Sequence, residues 1–172
     1  MSLLDLMLQR RSVRQYKNEN IPAEKLEMIL QAGLLAPTSR NRKPCEFYLV
    51  QNKDTLNKLA TAKAAGAGML ANANAAIVVF GDSQKADTWI EDCSIALTCM
   101  NLMAVEQGIG SCWVQMHLRS SLSGYDAEAN VRELFSLPEQ FRVVGALALG
   151  IAETEPKPHT LGEIDWKKVH RE

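Results

Sequence analysis

The sequence DTWIEDCSIALTCMNLMAVEQ (residues 87–107) runs directly into GIGSCWVQM (108–116). In the first segment Ile, Leu, Met and Val recur on most sides of a helical wheel, which is typical of a helix that is central or lies in an interface. The glycines that follow predict the end of this helix. Residues 112–116 then have the composition of a strand. The segment therefore predicts a buried helix followed at once by a strand.

Helices and strands alternate on both sides of this segment. Apolar spacing and Pro or Gly boundaries predict helices over residues 2–9, 22–36, 53–62 and 128–137, and strands over 46–51, 75–81 and 141–152. We expect Asp54 to cap the third helix and residues 66–75 to form a loop. This alternation predicts a sheet with helices on both faces, in an α/β or α+β sandwich.

Composition limits the function classes. The 172 residues suit one domain over 1–172, and a net charge of −1 favours neither nucleic acid nor an anionic membrane as a partner. No apolar run approaches the roughly 20 residues of a membrane-spanning helix. The four cysteines form no CxxC pair and the three histidines are scattered, so we predict free thiols, no metal site and a cytoplasmic protein.

Four polar segments could bind a ligand, although each also has an ordinary structural explanation. RRSVR (10–14) is either a solvated surface or an anion site, because Arg10, Ser12 and Arg14 would point the same way from an extended chain. APTSRNRKPCEF (36–47) is either a set of turns or a polar loop for a heteroaromatic ring. GIGSCWVQM could be a helix end with a core strand, and ALGIAETEPKPH (148–159) an exposed Pro-rich loop.

Taken together and in this order, the four segments resemble the nitroreductase family of flavin mononucleotide (FMN) enzymes. RRSVRQY resembles the family's RRSxRxF, and APTSRNRKPCEF resembles APSSxNxQPWxF. GIGSCW is similar to GLGSCW, and ALGIAETEPKPH to ALGxxxExPKPR. The resemblance covers essentially the whole chain, and four ordered motifs are far more specific than one.

The resemblance implies an α+β three-layer sandwich, in which helices flank a central, mainly antiparallel sheet. It also implies an intertwined homodimer with FMN at the subunit interface. Arg10 and Ser12 would hold the phosphate and ribityl chain, joined by Lys157 and His159, and Arg14 would lie near the pyrimidine edge. The further cofactor-binding residues expected on this basis are Arg11, Pro37, Thr38, Ser39 and Asn41, the last three from the partner subunit, and the backbone of Trp113, Val114, Gln115 and Met116 beside N5.

The implied activity is a ping-pong transfer of hydride from NADH or NADPH, through FMN, to a small electron-poor acceptor such as a nitroaromatic or a quinone. No catalytic side chain is expected, because FMN carries the chemistry and Arg14 supplies electrostatic support. Two alternatives remain: a specialised FMN dehydrogenase of a modified amino acid or peptide, and a non-catalytic flavin-binding protein.

The sequence departs from the family pattern at four places. Lys43 and Cys45 stand where Gln and Trp are common, His159 stands where Arg is usual, and AAGAGM (64–69) is shorter than the usual segment. Since His is only partly charged near neutral pH, His159 would hold a phosphate less firmly than Arg. We expect the differences at Lys43, Cys45 and residues 64–69 to change substrate access.

Overall fold

The computed structural model describes all residues, 1–172. In chain order its elements are α1 (Leu3–Gln9), α2 (Ala23–Leu34), β1 (Cys45–Val50), α3 (Lys53–Thr61), β2 (Ala75–Asp82), α4 (Trp89–Glu106), β3 (Gly110–Gln115), α5 (Ala127–Leu134) and β4 (Phe141–Gly150). Short 3₁₀ turns occupy Ser39–Asn41, Gly68–Asn72, Leu161–Glu163 and Trp166–Lys168. Every helix and strand predicted from the sequence is present.

The four strands form one sheet in the order β1-β2-β4-β3, and each neighbouring pair is antiparallel. The sequence had left α/β and α+β open. An entirely antiparallel sheet with helices on its faces is α+β, so the expected fold class is confirmed.

Each face of the sheet buries its own apolar core. Alternate strand residues such as Val78, Ala146 and Val114 pack in one cluster with Leu56, Leu59 and other apolar residues of α3 and α5. Their neighbours, such as Ile77 and Leu147, pack in a second cluster that includes side chains from α2 and α4. This period-2 division is what a strand covered on both faces requires, and it produces three layers.

Helix α4 lies against the sheet, with α2 packed on it. Leu97 and Met100 of α4 are fully buried, and a Cβ on Gly33 of α2 would come within 2.8 Å of the Met100 sulfur, so the two helices approach closely. Gly108 ends α4 in the left-handed conformation, with φ of +68°, which glycine adopts without strain. The predicted central helix and its glycine stop are confirmed.

Two local predictions were wrong. The cap of α3 is Asn52, whose side chain accepts from the Thr55 N–H at 3.0 Å, while Asp54 lies in the first turn. Residues 66–75 are not only a loop, because Gly68–Asn72 form a 3₁₀ turn and Leu70 is fully buried. The burial of Leu70 was not predicted because its neighbours are small residues, and a periodic pattern needs several large apolar residues at regular spacing.

Apolar side chains also remain on the surface. Helix α1 buries no residue, and its Leu3, Leu4 and Met7 are at least half exposed. Leu34 and Leu35 at the end of α2 are exposed as well, as are Trp166 and its apolar neighbours near the C-terminus. The chain has no helix whose length and apolar character would let it span a membrane.

Candidate functional site

The segment Arg10–Tyr16 lies along the outer edge of β3. The Val13 N–H donates to the Ser111 carbonyl at 2.9 Å, and the Lys17 N–H donates to the Ile151 carbonyl at 2.9 Å. The Tyr16 ring packs against Gly150, where a Cβ would come within 2.5 Å of it. Backbone bonds and one buried ring therefore hold the segment extended, and its polar side chains are not needed to hold it.

The predicted common direction of Arg10, Ser12 and Arg14 is seen only for Ser12 and Arg14, because Arg10 lines neither of the two cavities beside this segment. Ser12 and Arg14 are exposed and line a shallow cavity of about 320 Å³ with Thr154 and Pro156. Arg11 lines a second cavity of about 330 Å³ beside Gly110 and Ser111, and Val13 lies between the two cavities and lines both. Arg11 thus lies on the opposite side from Ser12 and Arg14, and Arg10 is the half-buried C-cap of α1.

The fourth motif, ALGIAETEPKPH (148–159), lies beside the same segment. The Arg11 guanidinium donates to the Lys157 carbonyl, and the His159 N–H donates to the Leu8 carbonyl at 2.8 Å. The His159 ring lies 2.7 Å from the carboxylate of Glu163, which lowers the pKa of Glu163. The structure therefore brings Lys157 to the RRSVR segment and His159 to the end of α1 just before it, with His159 engaged by an acidic neighbour.

The outer edge of β3 offers backbone groups to a ligand. The Ser111 carbonyl points away from β4, since it accepts from Val13. In an antiparallel ladder every second residue points its N–H and C=O groups to the same side, so those of Trp113 and Gln115 also point outward. Lys63 donates to the Gln115 carbonyl at 2.9 Å. Burial, and then the charge of Arg119, lowers the pKa of Lys63. The Gln115 end of this edge thus lies beside a half-buried ammonium group.

Two buried polar residues fix the ends of β3. Asn101 of α4 accepts a hydrogen bond from the Ser111 hydroxyl at 2.8 Å. At the other end, His117 Nδ1 lies 3.1 Å from Glu128, which also accepts from Arg142 and from the Val143 N–H. Burial would raise the pKa of Glu128, but the bonds from Arg142 and His117 lower it overall. The strand is therefore anchored at both ends.

The loop over Thr38–Lys43 is built differently. Pro37 follows the end of α2, and the Ser39 N–H donates to Asp92, a buried residue in the first turn of α4, at 2.9 Å. The Thr38 hydroxyl accepts from the Lys43 N–H at 3.0 Å. Arg40, Asn41 and Lys43 all have left-handed φ angles of 49–52°, which cost energy for residues other than glycine. The side chains of Ser39 and Asn41 make no hydrogen bond within the chain.

One chain keeps these two groups of predicted site residues far apart. The loop contacts the first turn of α4, whereas the RRSVR segment lies beside the residues that follow its last turn. Helix α4 has 18 residues, and at 1.5 Å per residue it is about 27 Å long. β1 and β3 are also opposite edges of the sheet. The structure therefore brings together the first, third and fourth motifs, and leaves the second at the opposite corner.

The start of the RRSVR segment and the outer edge of β3 form one corner of the molecule, whose cationic and neutral donors suit an anionic ligand. Its donors are the Ser12 hydroxyl, the Arg14 guanidinium, the outward N–H groups of β3 and the Lys63 ammonium. Sequence reasoning missed Lys63, which has no local signal, because only the fold brings it to β3. It also missed Asp92 and Asn101, for which a weak signal existed: both are among the few polar residues of a mostly apolar helix.

Comparison with known proteins gives this arrangement a family. The model of the nitroreductase family matches residues 7–67 and 61–151. A relative from Archaeoglobus fulgidus, provisionally named NADH dehydrogenase/NAD(P)H nitroreductase, is 34% identical over 98% of this chain and 97% of its own. An FMN-dependent nitroreductase from Clostridium difficile is 38% identical, with a TM-score of 0.94 over 98% of each chain. The chain belongs to the nitroreductase family.

The fold recurs in more distant structures. A protein of Desulfovibrio desulfuricans, provisionally described as a nitroreductase and solved in complex with FMN, has a TM-score of 0.77 over 99% of each chain. It is 23% identical to this chain, so this likeness concerns the fold alone.

Proposed function

We propose that this protein is an FMN-dependent oxidoreductase that takes hydride from NADH or NADPH and reduces small electron-poor acceptors, such as nitroaromatics or quinones. The observation that carries the proposal is the corner at β3, where the RRSVR segment and the free strand edge present cationic and neutral donors side by side. The family, and a similar structure described as FMN-dependent, support the choice of cofactor.

In this proposal each group of donors holds one part of FMN. Arg10 and Ser12, with Lys157 and His159, would hold the phosphate and ribityl chain, because guanidinium and hydroxyl groups suit phosphate oxygens. His159 would have to exchange Glu163 for the phosphate. Arg14 would lie at the pyrimidine edge, and the backbone of Trp113–Met116 beside N5. Arg11, which donates to the Lys157 carbonyl, would position the closing segment.

When bound, FMN would supply the group that accepts and passes on hydride. The protein's own part is position and charge. The outward N–H groups of Trp113 and Gln115 can fix the orientation of the ring, and Arg14 can stabilise negative charge that develops at its pyrimidine edge. Lys63, placed on the Gln115 carbonyl, adds a second cation to this corner. No side chain of the corner is required to act as a nucleophile.

The proposal includes a homodimer whose two chains complete each site. The free side chains of Ser39 and Asn41, together with Thr38 and Pro37, would come from the partner subunit, because they lie at the far end of α4 in their own chain. The exposed apolar side chains of α1 and of the end of α2 support an extensive interface. An obligate interface of this kind should bury more than about 2,000 Å².

An anaerobic titration tests the activity. The purified protein should be a yellow dimer whose flavin absorbance is lost on addition of NADH or NADPH and returns with a nitroaromatic or a quinone. Bound FMN that keeps its colour with both nucleotides would favour a non-catalytic flavin-binding protein. Loss of colour only with a modified amino acid or peptide would favour the specialised dehydrogenase. A colourless monomer that FMN does not stabilise would contradict the proposal.

A further inference from the structure

Two thiols meet where β1 begins. Cys45 is the first residue of β1 and lies directly opposite Gly81 of β2. Directly opposed residues of an antiparallel pair point to the same face, with Cβ atoms about 4.5–5.5 Å apart. The sulfur of Cys93, in the second turn of α4, lies 2.9 Å from where a Cβ on Gly81 would be. The missing side chain of Gly81 thus leaves the space in which the two sulfur atoms approach each other.

The two thiols differ in access and in chemistry. Cys45 is half-buried, whereas Cys93 is fully buried. A hydrogen bond from Cys93 lowers the pKa of Cys45, despite the opposing effects of burial and of Asp92. The same hydrogen bond, together with burial, raises the pKa of Cys93. The accessible thiol is therefore the better nucleophile, and the buried thiol is next to it.

We propose that Cys45 and Cys93 form a thiol–disulfide exchange site, at which Cys45 attacks a small-molecule disulfide and Cys93 closes an internal disulfide. In the first step the Cys45 thiol loses its proton to solvent and its sulfur bonds to one sulfur of the reagent, whose other half leaves as a thiolate and is protonated. In the second step Cys93 loses its proton and attacks the Cys45 sulfur, which releases the second half as a thiol. Overall, two protein thiols are oxidised and one disulfide is reduced to two thiols.

The site lies beside the loop described above. Cys45 follows Pro44 at the end of that loop, and Cys93 is adjacent to Asp92, which holds Ser39. A Cys45–Cys93 disulfide would join the start of β1 to α4 next to this contact. The geometry of the two thiols carries the proposal by itself, whether or not the protein binds FMN.

The test uses the purified protein with its cofactor, reduced, freed of reductant and incubated with excess oxidised glutathione. We expect it to lose two of its four free thiols, counted after denaturation. Peptide mapping should find Cys45 linked to Cys93, with no glutathione retained, and dithiothreitol should restore all four thiols. Cys99, a half-buried thiol without a thiol neighbour, is the internal control and should form no internal disulfide.

Variants separate the two roles. Cys93→Ala should stop at a stable adduct of one glutathione on Cys45, and Cys45→Ala should leave Cys93 unmodified. Four thiols retained in the unsubstituted protein, a lasting glutathione adduct on Cys45, or a link to Cys99 or Cys112 would overturn the proposal. Peptide mapping of the unsubstituted protein decides the question if a variant does not fold.

Discussion

The Arg10–Tyr16 segment and the Thr38–Lys43 loop present free polar side chains by different means. The first is held by backbone bonds to β3 and to Ile151 after β4 and by the buried ring of Tyr16, so the Ser12 and Arg14 side chains are exposed and Arg14 bonds only to the Ser12 carbonyl. The second is held by the buried Asp92 and includes three residues with left-handed φ. The chain thus presents donors at two corners separated by the length of α4. In the proposed dimer, one ligand would meet the Arg10–Tyr16 segment of one chain and the Thr38–Lys43 loop of its partner.

The largest effect should come from removing the ligand's phosphate. In the proposed site the phosphate binds to Arg10, Lys157 and His159, and each charge-assisted contact contributes about 1.5–3 kcal/mol. Losing two of them should make riboflavin bind more than roughly 100-fold more weakly than FMN. Flavin fluorescence titrations of the apoprotein measure both dissociation constants. Equal affinities would show that Arg10, Lys157 and His159 do not bind the phosphate.

Arg10→Ala should weaken FMN binding by roughly tenfold to 150-fold, because it deletes one contact of about 1.5–3 kcal/mol. Lys58→Ala is the matched control, since it removes the same charge from the exposed surface of α3. The same fluorescence titration compares the three proteins. If Arg10→Ala binds FMN as tightly as Lys58→Ala does, Arg10 makes no contact with the phosphate.

Arg14→Gln should change the redox potential more than the affinity. A guanidinium at the pyrimidine edge stabilises the negative charge gained on reduction, whereas a phosphate contact stabilises both redox states equally. If about 1.4 kcal/mol is lost, the two-electron potential of bound FMN should fall by about 30 mV. Spectroelectrochemical titration measures this. An unchanged potential with weakened FMN binding would place Arg14 at the phosphate instead.

The smallest effect concerns the second corner. Asp92 accepts from the Ser39 N–H and from the Thr88 hydroxyl. Asp92→Asn leaves one acceptor oxygen for these two donors. It should lower the free energy of unfolding by about 1 kcal/mol, and the unfolding midpoint by roughly 2–4 °C. Thermal unfolding measures the cost, and hydrogen exchange should show faster opening at Ser39 than at Val13. Equally faster hydrogen exchange at Ser39 and Val13 would mean that the two segments do not open independently.

Much of this comparison could be predicted from the sequence, because periods of 3.6 and 2 and the Pro and Gly boundaries are local signals. The common direction of Ser12 and Arg14 follows from an extended chain, whereas Arg10 departs from it because it ends α1. The partners of the two corners could not be predicted. Lys63 reaches Gln115, and Asp92 reaches Ser39, only through the fold. Asn52 was missed as a cap because Asp54 is an equally acceptable residue type two positions later.

A subunit-complementation experiment tests most directly whether two chains share each site. One subunit would carry Arg10→Ala and Arg14→Gln, and the other would carry Ser39→Ala and Asn41→Gly, in which Gly accepts the left-handed φ at position 41. Two different affinity tags would isolate the mixed dimer. If each site combines the Arg10–Tyr16 segment of one chain with the Thr38–Lys43 loop of the other, one site of the mixed dimer contains no substitution. The mixed dimer should therefore bind one FMN and oxidise NAD(P)H. Both parent homodimers should bind FMN weakly. A mixed dimer that binds FMN no better than its parents would contradict the account, because each chain would then use both of its own corners.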